Sequence, residues 1–440
     1  MMRSDLSIAP DEYGLLTDLY QLTMIACYRG EGLEDRPASF ELFARRLPEG
    51  FGYLIAAGLS QALDYLENLH FSGEQIDALQ KTGLFRHVPD SFWDLLANAR
   101  FSGEVHAVPE GTTLFANEPL LRVTAPLWQS QLVETFLLNT INYQTLIATK
   151  AARIRDIAGD DAILMEFGTR RAFSPQGALW AARAAIVGGS DSTSNVLAAL
   201  KLGRKPSGTM AHSLIMAVGA IEGGEDEAFA AFDRYFPGAT LLIDTYDTVA
   251  AAERLAISGK PVAGVRIDSG DLVTLSRKVR QLLPETKIFA SGDMDEYEID
   301  RLQKAGASID GYGIGNRLVT GSPVNGVYKL VEIDGIPTMK RSDQKSTYPG
   351  IKQIFRGREG DRLGLAIETP DGDEMALLQP VMKAGKRVYP DDSLETIQKR
   401  ARASVVQLPA TVRRLQNPES IPVTISKLLQ TLHDSLLPNR

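Results

Sequence analysis

The chain has 440 residues, with 47 Lys and Arg against 55 Asp and Glu, a formal net charge of −8. Hydrophobic residues make up 44% and charged residues 23%, the balance of a folded globular protein and not of a disordered or fibrous one; the length predicts two or three domains. The acidic balance argues against general nucleic-acid binding, no apolar run approaches the roughly eighteen residues of a membrane helix, and one cysteine, Cys27, leaves no intramolecular disulfide.

Residues 1–14 carry acids and a proline where a secretory signal would be apolar. With the lone cysteine, this predicts a cytoplasmic, reducing compartment. Residues 1 to about 125 show a mixed pattern: a helix over 15–29, a strand over 38–43, a helical stretch over 54–69 and short helices to about residue 99. Over 103–127, Val, Thr and Leu alternate with Gly, Pro and Asn turn signals, which reads as short antiparallel strands. A long helix is predicted over 129–158.

From about 162 to 327 the rhythm changes. Apolar runs over 162–167, 240–244, 262–268, 286–293 and 308–315 end in polar clusters and are followed by helical patterns. Asp244 to Asp268 is 24 residues, Asp268 to Ser291 is 23 and Ser291 to Gly313 is 22, each room for a strand, a helix and two loops. Leu272, Leu275, Val279 and Leu282 share one helical face, closed by Pro284; Ile299, Leu302 and Ala305 share another, with Gly306 placed as its C-terminal cap. The economical fold is an irregular parallel α/β barrel, TIM-like, over 128–327. An open doubly wound sheet remains the alternative, although no GxGxxG opens a helix after the first strand. Residues 328–390 return to strand and turn signals and could complete a sheet with 103–127, giving an α/β sandwich domain built from 1–127 and 328–390. A helical tail, 391–440, carries clustered Lys and Arg whose simplest reading is a solvated helix face.

In a parallel barrel the βα loops converge at the carboxyl ends of the strands, so function collects there. Five polar clusters fall at those points: EFGTRR from Glu166, DTYD from Asp244, RIDSGD from Arg266, SGD from Ser291 and GIGNR from Gly313. Singly, each reads equally as a cap or a turn. Five in register suit a phosphorylated ligand, since arginines pair with phosphates, glycines let backbone N–H groups approach them, and aspartates suit Mg²⁺ or sugar hydroxyls. Of five histidines, His212 alone lies in this zone, in the loop PSGTMAHS before an apolar segment. A lone histidine is often structural, but no second His or Cys stands at metal-ligand spacing, so a nucleophile or proton carrier is the functional reading. Tyr20 and Phe167 read as core residues, or as a stacking pair if the ligand is a flat heteroaromatic ring.

The motifs YGLLTDLYQLTM, FELFARRLP, EFGTRRAFSPQGA, GGSDSTSNVLA, SGTMAHS, LLIDTYDT, GVRIDSGDL, SGDMDE and GYGIGNRLVTG follow one another from about Tyr13 to Leu330. In that order the chain resembles the nicotinate phosphoribosyltransferases, type II phosphoribosyltransferases of NAD salvage. The resemblance implies attack of nicotinate on C1 of 5-phosphoribosyl-1-pyrophosphate, giving nicotinate mononucleotide and pyrophosphate, coupled to ATP hydrolysis through a phosphohistidine at His212. It further implies Mg²⁺ at Asp244 and Asp268, directly or through water, and Arg170 and Arg266 on the phosphates or the nicotinate carboxylate. Thr209 falls beside the pyridine carboxylate, Phe167 and Tyr20 match the stacking pair, and Asp293 matches a ribose contact. Gly292, Gly313 and Gly315 shape the 5′-phosphate cradle. The tyrosine comes from the neighbouring subunit in the family, which implies a homodimer with shared active sites. The phosphate loop carries Asn316 where relatives often have Thr, which keeps a donor but loses the compact hydroxyl. Nicotinamide as the base, or a catalytically silent nucleotide-binding homologue, are the alternative readings. An aldolase-type barrel lacks support because no lysine stands in the strand-end clusters.

Overall fold

The 22- to 24-residue rhythm of the middle zone becomes a parallel sheet of six strands: β1 (Ile163–Glu166), β2 (Ser192–Thr193), β3 (Leu241–Leu242), β4 (Gly264–Ile267), β5 (Lys287–Ala290) and β6 (Gly311–Ile314). The computed structural model in which they are seen describes residue 6, residues 8–341 and residues 347–437. Part of the N-terminal stretch read for targeting, and the last three residues of the C-terminal segment, lie outside the described residues. The described residues divide into two compact units. One comprises those of Met1–Thr145, Pro323–Ile397 and Pro409–Arg440; the other comprises Leu146–Ser322 and Gln398–Leu408.

In the second unit the strands are hydrogen-bonded in the order β2-β1-β6-β5-β4-β3, every ladder parallel. Each pair consists of strands consecutive in the chain, except that the first, β1, pairs with the last, β6. Alternating helices follow from local chemistry. Asp247, Asp271 and Asp295 each accept backbone N–H bonds at the starts of Thr248–Ile257, Leu272–Leu282 and Glu296–Lys304, satisfying donors that a helix start leaves free. Gly306, with φ of +72°, follows the last of these helices as expected of a C-terminal cap. Val265, Ile267, Ile288, Ala290 and Ile314 are buried almost completely and form the sheet's contribution to the core.

Two departures from the sequence pattern have physical causes. The strand expected over 240–244 is reduced to β3, because the Asp244 carboxylate takes the amide of Asp268 at 2.9 Å where a ladder would continue. The two-residue β2 was not legible in the polar run GGSDSTSN. It is held by long-range bonds from Asp191 N–H to the Leu164 carbonyl and from Ser194 N–H to the Glu166 carbonyl, both 2.9 Å.

The first unit contains a seven-stranded antiparallel sheet in the order Ile336–Pro337, Gly326–Ile333, Pro37–Ala44, Pro119–Pro126, Glu104–Ala107, Gln379–Lys383, Lys386–Arg387. Strands from the third zone thus flank strands from the first on both sides. Phe40 stacks on Tyr328 across one such pair at 5.0 Å between ring centroids, and both are buried. The helix expected over 54–69 opens instead as a short strand, Leu54–Ile55, before Leu59–Glu67; the long helix expected over 129–158 is two, Leu127–Leu132 and Glu134–Ala158. The C-terminal segment is not wholly helical. Val423–Ile425 adds a parallel strand beside Gly360–Leu365, and Arg402 is not simply solvated but pairs with Asp156 and Asp160 at 3.1 and 2.9 Å. Among the described residues no helix is long and apolar enough to cross a membrane.

Candidate active site

The acids at the strand ends of the parallel unit sort into two kinds. Asp247, Asp271 and Asp295 are helix caps, the plain reading of such residues. Asp244, Asp268 and Asp293 cap nothing, and they are the three singled out by the motifs.

Asp244 follows β3. Its Oδ2 accepts from the Asp268 backbone N–H at 2.9 Å and from the Ser269 hydroxyl at 2.7 Å, while its Oδ1 is buried with no partner among the described residues. Asp268, after β4, accepts a bond from the Ser291 hydroxyl. Arg266 lies on β4 and donates to the Met210 carbonyl at 3.1 Å; its Nε is buried and without a partner among the described residues. Burial holds the Arg266 guanidinium below its ordinary pKa, Asp268 and Asp244 counter that, and the charge of Arg170 adds to it. Two cations, two anions, an unpaired N–H and an unpaired carboxylate oxygen therefore gather at one rim, where an anionic ligand would complete the pairing that burial leaves unfinished.

His212 is the first residue of the helix His212–Glu222, half-buried, with Nδ1 3.0 Å from the Thr245 hydroxyl. Thr209, three residues earlier, is half-buried, and its hydroxyl donates to the Met210 carbonyl at 3.2 Å. The Met210 carbonyl thus links the histidine loop to Arg266.

After β5 the chain turns through Gly292 (φ +87°) and Asp293 (φ +50°), two successive residues in the left-handed region. A side chain at Gly292 would bring its Cβ within 2.3 Å of the Asp268 carbonyl oxygen, so only glycine lets the two strand ends close up. Asp293 emerges exposed, and aspartate is one of the few residues besides glycine that take up this conformation readily. Asp268, Gly292 and Asp293 line one cleft of about 480 Å³, together with Ser269, Tyr297 and Arg317.

Phe167, after β1, lays its ring against β6: a Cβ at Gly313 would stand 2.5 Å from the ring's Cε2. Gly315 precedes the short helix Asn316–Val319, whose first residue, Asn316, is exposed. Glu166, beneath this arrangement, accepts from the Thr193 hydroxyl at 2.5 Å and from the Gly168 N–H; burial raises its pKa, opposed by those two bonds. Gly313→Ala is expected to displace the Phe167 ring, at a cost of about 1–3 kcal/mol from overpacking. A lowered melting temperature together with a raised KM for a flat aromatic substrate would show it; an unchanged KM would separate Phe167 from the ligand.

Arg170 is exposed, after β1. Twelve of the thirteen motif residues thus lie in this unit, at strand ends or in the loop before His212–Glu222. Tyr20 does not. It is in the other unit, on the helix Leu19–Gly30, with 45% of its surface exposed, and its phenol pKa is raised by burial and by Glu134 and Asp18. Three contributors have no role assigned by the sequence: Thr245 and Thr193 lie inside quoted motifs but are recognisable as the partners of His212 and Glu166 only in the structure, and Lys150 lies in no motif.

No group of three or more His, Cys, Asp or Glu able to hold a metal ion occurs among the described residues. The hard oxygens of Asp244 and Asp268, one of them unpaired, suit Mg²⁺ held jointly with water and a ligand's phosphates, and not a closed protein cage.

Three family models match the chain: the nicotinate phosphoribosyltransferase N-terminal domain over residues 15–142, the nicotinate phosphoribosyltransferase family over 163–293, and its C-terminal domain over 369–433. A nicotinate phosphoribosyltransferase of Mycobacterium tuberculosis is 39% identical over 94% of this chain and 91% of its own. One from Bacillus subtilis is 38% identical, covering 95% and 94%. The crystal structure of human nicotinic acid phosphoribosyltransferase superposes with a TM-score of 0.84 at 31% identity, covering 96% of this chain and all of that one.

Proposed function

The chain belongs to the nicotinate phosphoribosyltransferase family, and from that premise we propose a mechanism and a role for each side chain at the strand ends. Its reaction is the family's: nicotinate and 5-phosphoribosyl-1-pyrophosphate give nicotinate mononucleotide and pyrophosphate, a step of NAD biosynthesis. The observation that carries the assignment is the half-satisfied rim, with Arg266 Nε and Asp244 Oδ1 both buried and unpaired beside Asp268.

The ring nitrogen of nicotinate attacks C1 of the ribose while the C1–O bond to pyrophosphate breaks, its electron pair leaving with the pyrophosphate. Positive charge develops at C1 and negative charge on the leaving group, so the site works by orienting a weak nucleophile and neutralising the departing anion. Arg266 and Arg170 supply cationic hydrogen bonds, either to that anion or to the nicotinate carboxylate. Phe167 offers the ring a stacking face, Thr209 sits beside its carboxylate, and Asp293 takes the ribose hydroxyls. The backbone from Gly313 through Asn316, with Gly292, surrounds the 5′-phosphate. Mg²⁺, when bound through Asp244 and Asp268, supplies charge neutralisation on the pyrophosphate.

His212 attacks the γ-phosphorus of ATP through a ring nitrogen; ADP leaves with the bond's electron pair, and water later cleaves the phosphohistidine. The sheet order supports an irregular barrel left open between β2 and β3, and the flanking of first-zone strands by third-zone strands supports a sandwich domain completed from the C-terminal part. The homodimer in which Tyr20 completes a partner's site is carried over from the family resemblance, and the half-exposed Tyr20 side chain is compatible with that role. Parallel assays with nicotinate and nicotinamide, with and without ATP, test the reading. ATP-stimulated conversion of nicotinate is expected, and preference for nicotinamide would contradict it.

A further inference from the structure

Lys150 belongs to no motif at the strand ends, yet it reaches one of them. It lies on the helix Glu134–Ala158 and its half-buried ammonium donates to the carbonyl of Arg317 and, at 2.5 Å, to that of Thr320. Those carbonyls close the short helix Asn316–Val319, which directly follows Gly315. One turn further along the same helix, Arg153 donates to Glu296 at 3.0 Å, both side chains being almost fully buried, and to the Tyr297 hydroxyl at 3.3 Å. Arg317 and Tyr297 both line the cleft that holds Asp268, Gly292 and Asp293. A single helix therefore braces two walls of one cleft from behind with two cations.

The Arg317 guanidinium stands at the cleft with little to hold it. It is more than half exposed, and its nearest acid is Asp295 at 3.6 Å, too long for a firm hydrogen bond. What fixes the residue is its backbone, held by the short helix's own hydrogen bonds and, from outside it, by the ammonium of Lys150. We propose that Lys150 is a positioning residue: by holding the Arg317 and Thr320 carbonyls it keeps the Arg317 guanidinium at the cleft, where it pairs with the phosphate ester of the phosphoribosyl substrate. Burial lowers the pKa of Lys150, opposed by Glu296 and Asp295 and assisted by Arg317 and Arg153; a cation kept in such surroundings is costly unless its donors are used. The inference rests on the proposed reading of the cleft as the site of the sugar phosphate.

The test compares Lys150→Met, Lys150→Gln and Lys150→Arg with the parent full-length enzyme. Steady-state KM values are measured separately for phosphoribosyl pyrophosphate and nicotinate, with calorimetric affinity for ribose 5-phosphate and a melting curve. Two charge-assisted hydrogen bonds are lost in the Met variant. KM for phosphoribosyl pyrophosphate and the Kd for ribose 5-phosphate should therefore rise roughly 10- to 100-fold. KM for nicotinate should stay within about twofold, Lys150→Gln should fall between Met and parent, and Lys150→Arg should recover most of the affinity. A purely structural lysine would raise both KM values together as the melting temperature fell, and that pattern, or an unchanged ribose 5-phosphate affinity, overturns the inference. A parent enzyme that converts no nicotinate overturns the functional reading instead, and the ribose 5-phosphate titration still decides the role of Lys150 in that case.

Discussion

Arg266→Ala should weaken the binding of phosphoribosyl pyrophosphate by roughly 30- to 4,000-fold. The range follows from the 2–5 kcal/mol typical of truncating one partner of a buried charge pair, at about 1.4 kcal/mol per factor of ten. The upper part of the range is favoured by the environment. Arg266 Nε has no partner among the described residues, burial already holds the guanidinium below its ordinary pKa, and Asp268 and Asp244 only partly offset this. Removing the guanidinium leaves those two carboxylates facing an incoming polyanion with one cation fewer. Arg266→Lys should restore part of the affinity, since it returns the charge but not the planar fork. Steady-state kinetics with each substrate varied in turn measures this. A rise confined to the KM for nicotinate would move Arg266 to the pyridine carboxylate, and unchanged constants for both substrates would remove it from the site.

The second large effect concerns energy coupling. His212→Asn should abolish ATP stimulation, leaving the activity of the parent measured without ATP. Asparagine retains a polar group able to meet the Thr245 hydroxyl, which stands 3.0 Å from Nδ1 of the native ring, but it offers no nucleophilic nitrogen for a phosphoryl group. Radiolabelled ATP should deposit an acid-labile, base-stable phosphate on the parent and none on the variant. Stimulation of the variant equal to that of the parent would show that the phosphoryl group is carried elsewhere.

What the sequence disclosed, and what it withheld, follows from the range of the interactions involved. Repeating strand-helix units leave a local signature, because each apolar run and each Asp cap is decided within a few residues. The 22- to 24-residue spacing, the helix Leu272–Leu282 and the cap at Gly306 were therefore legible. β2 was not, because two residues in a polar run carry no period and are held by bonds to Leu164 and Glu166 far back in the chain. Aspartates posed a subtler problem. In DTYD and RIDSGD the second acid caps a helix while the first faces its neighbour loop, and composition does not say which does which. Lys150 was invisible for the same reason as β2, since its partners lie 167 and 170 residues away. For Tyr20 the residues alone left a core and a stacking reading open and the family motif chose the second; its 45% exposure argues against the core reading.

In the proposed mechanism the carboxyl ends of the parallel strands form the phosphoribosyl transfer site. A crystal structure of the enzyme with nicotinate mononucleotide and pyrophosphate tests it most directly. The pyridine ring is expected against Phe167, the 5′-phosphate at Gly313 through Arg317, the ribose at Asp293 and the pyrophosphate within reach of Arg266, Asp244 and Asp268. Products bound elsewhere on the chain, with Arg266 Nε and Asp244 Oδ1 still unpaired, would contradict it.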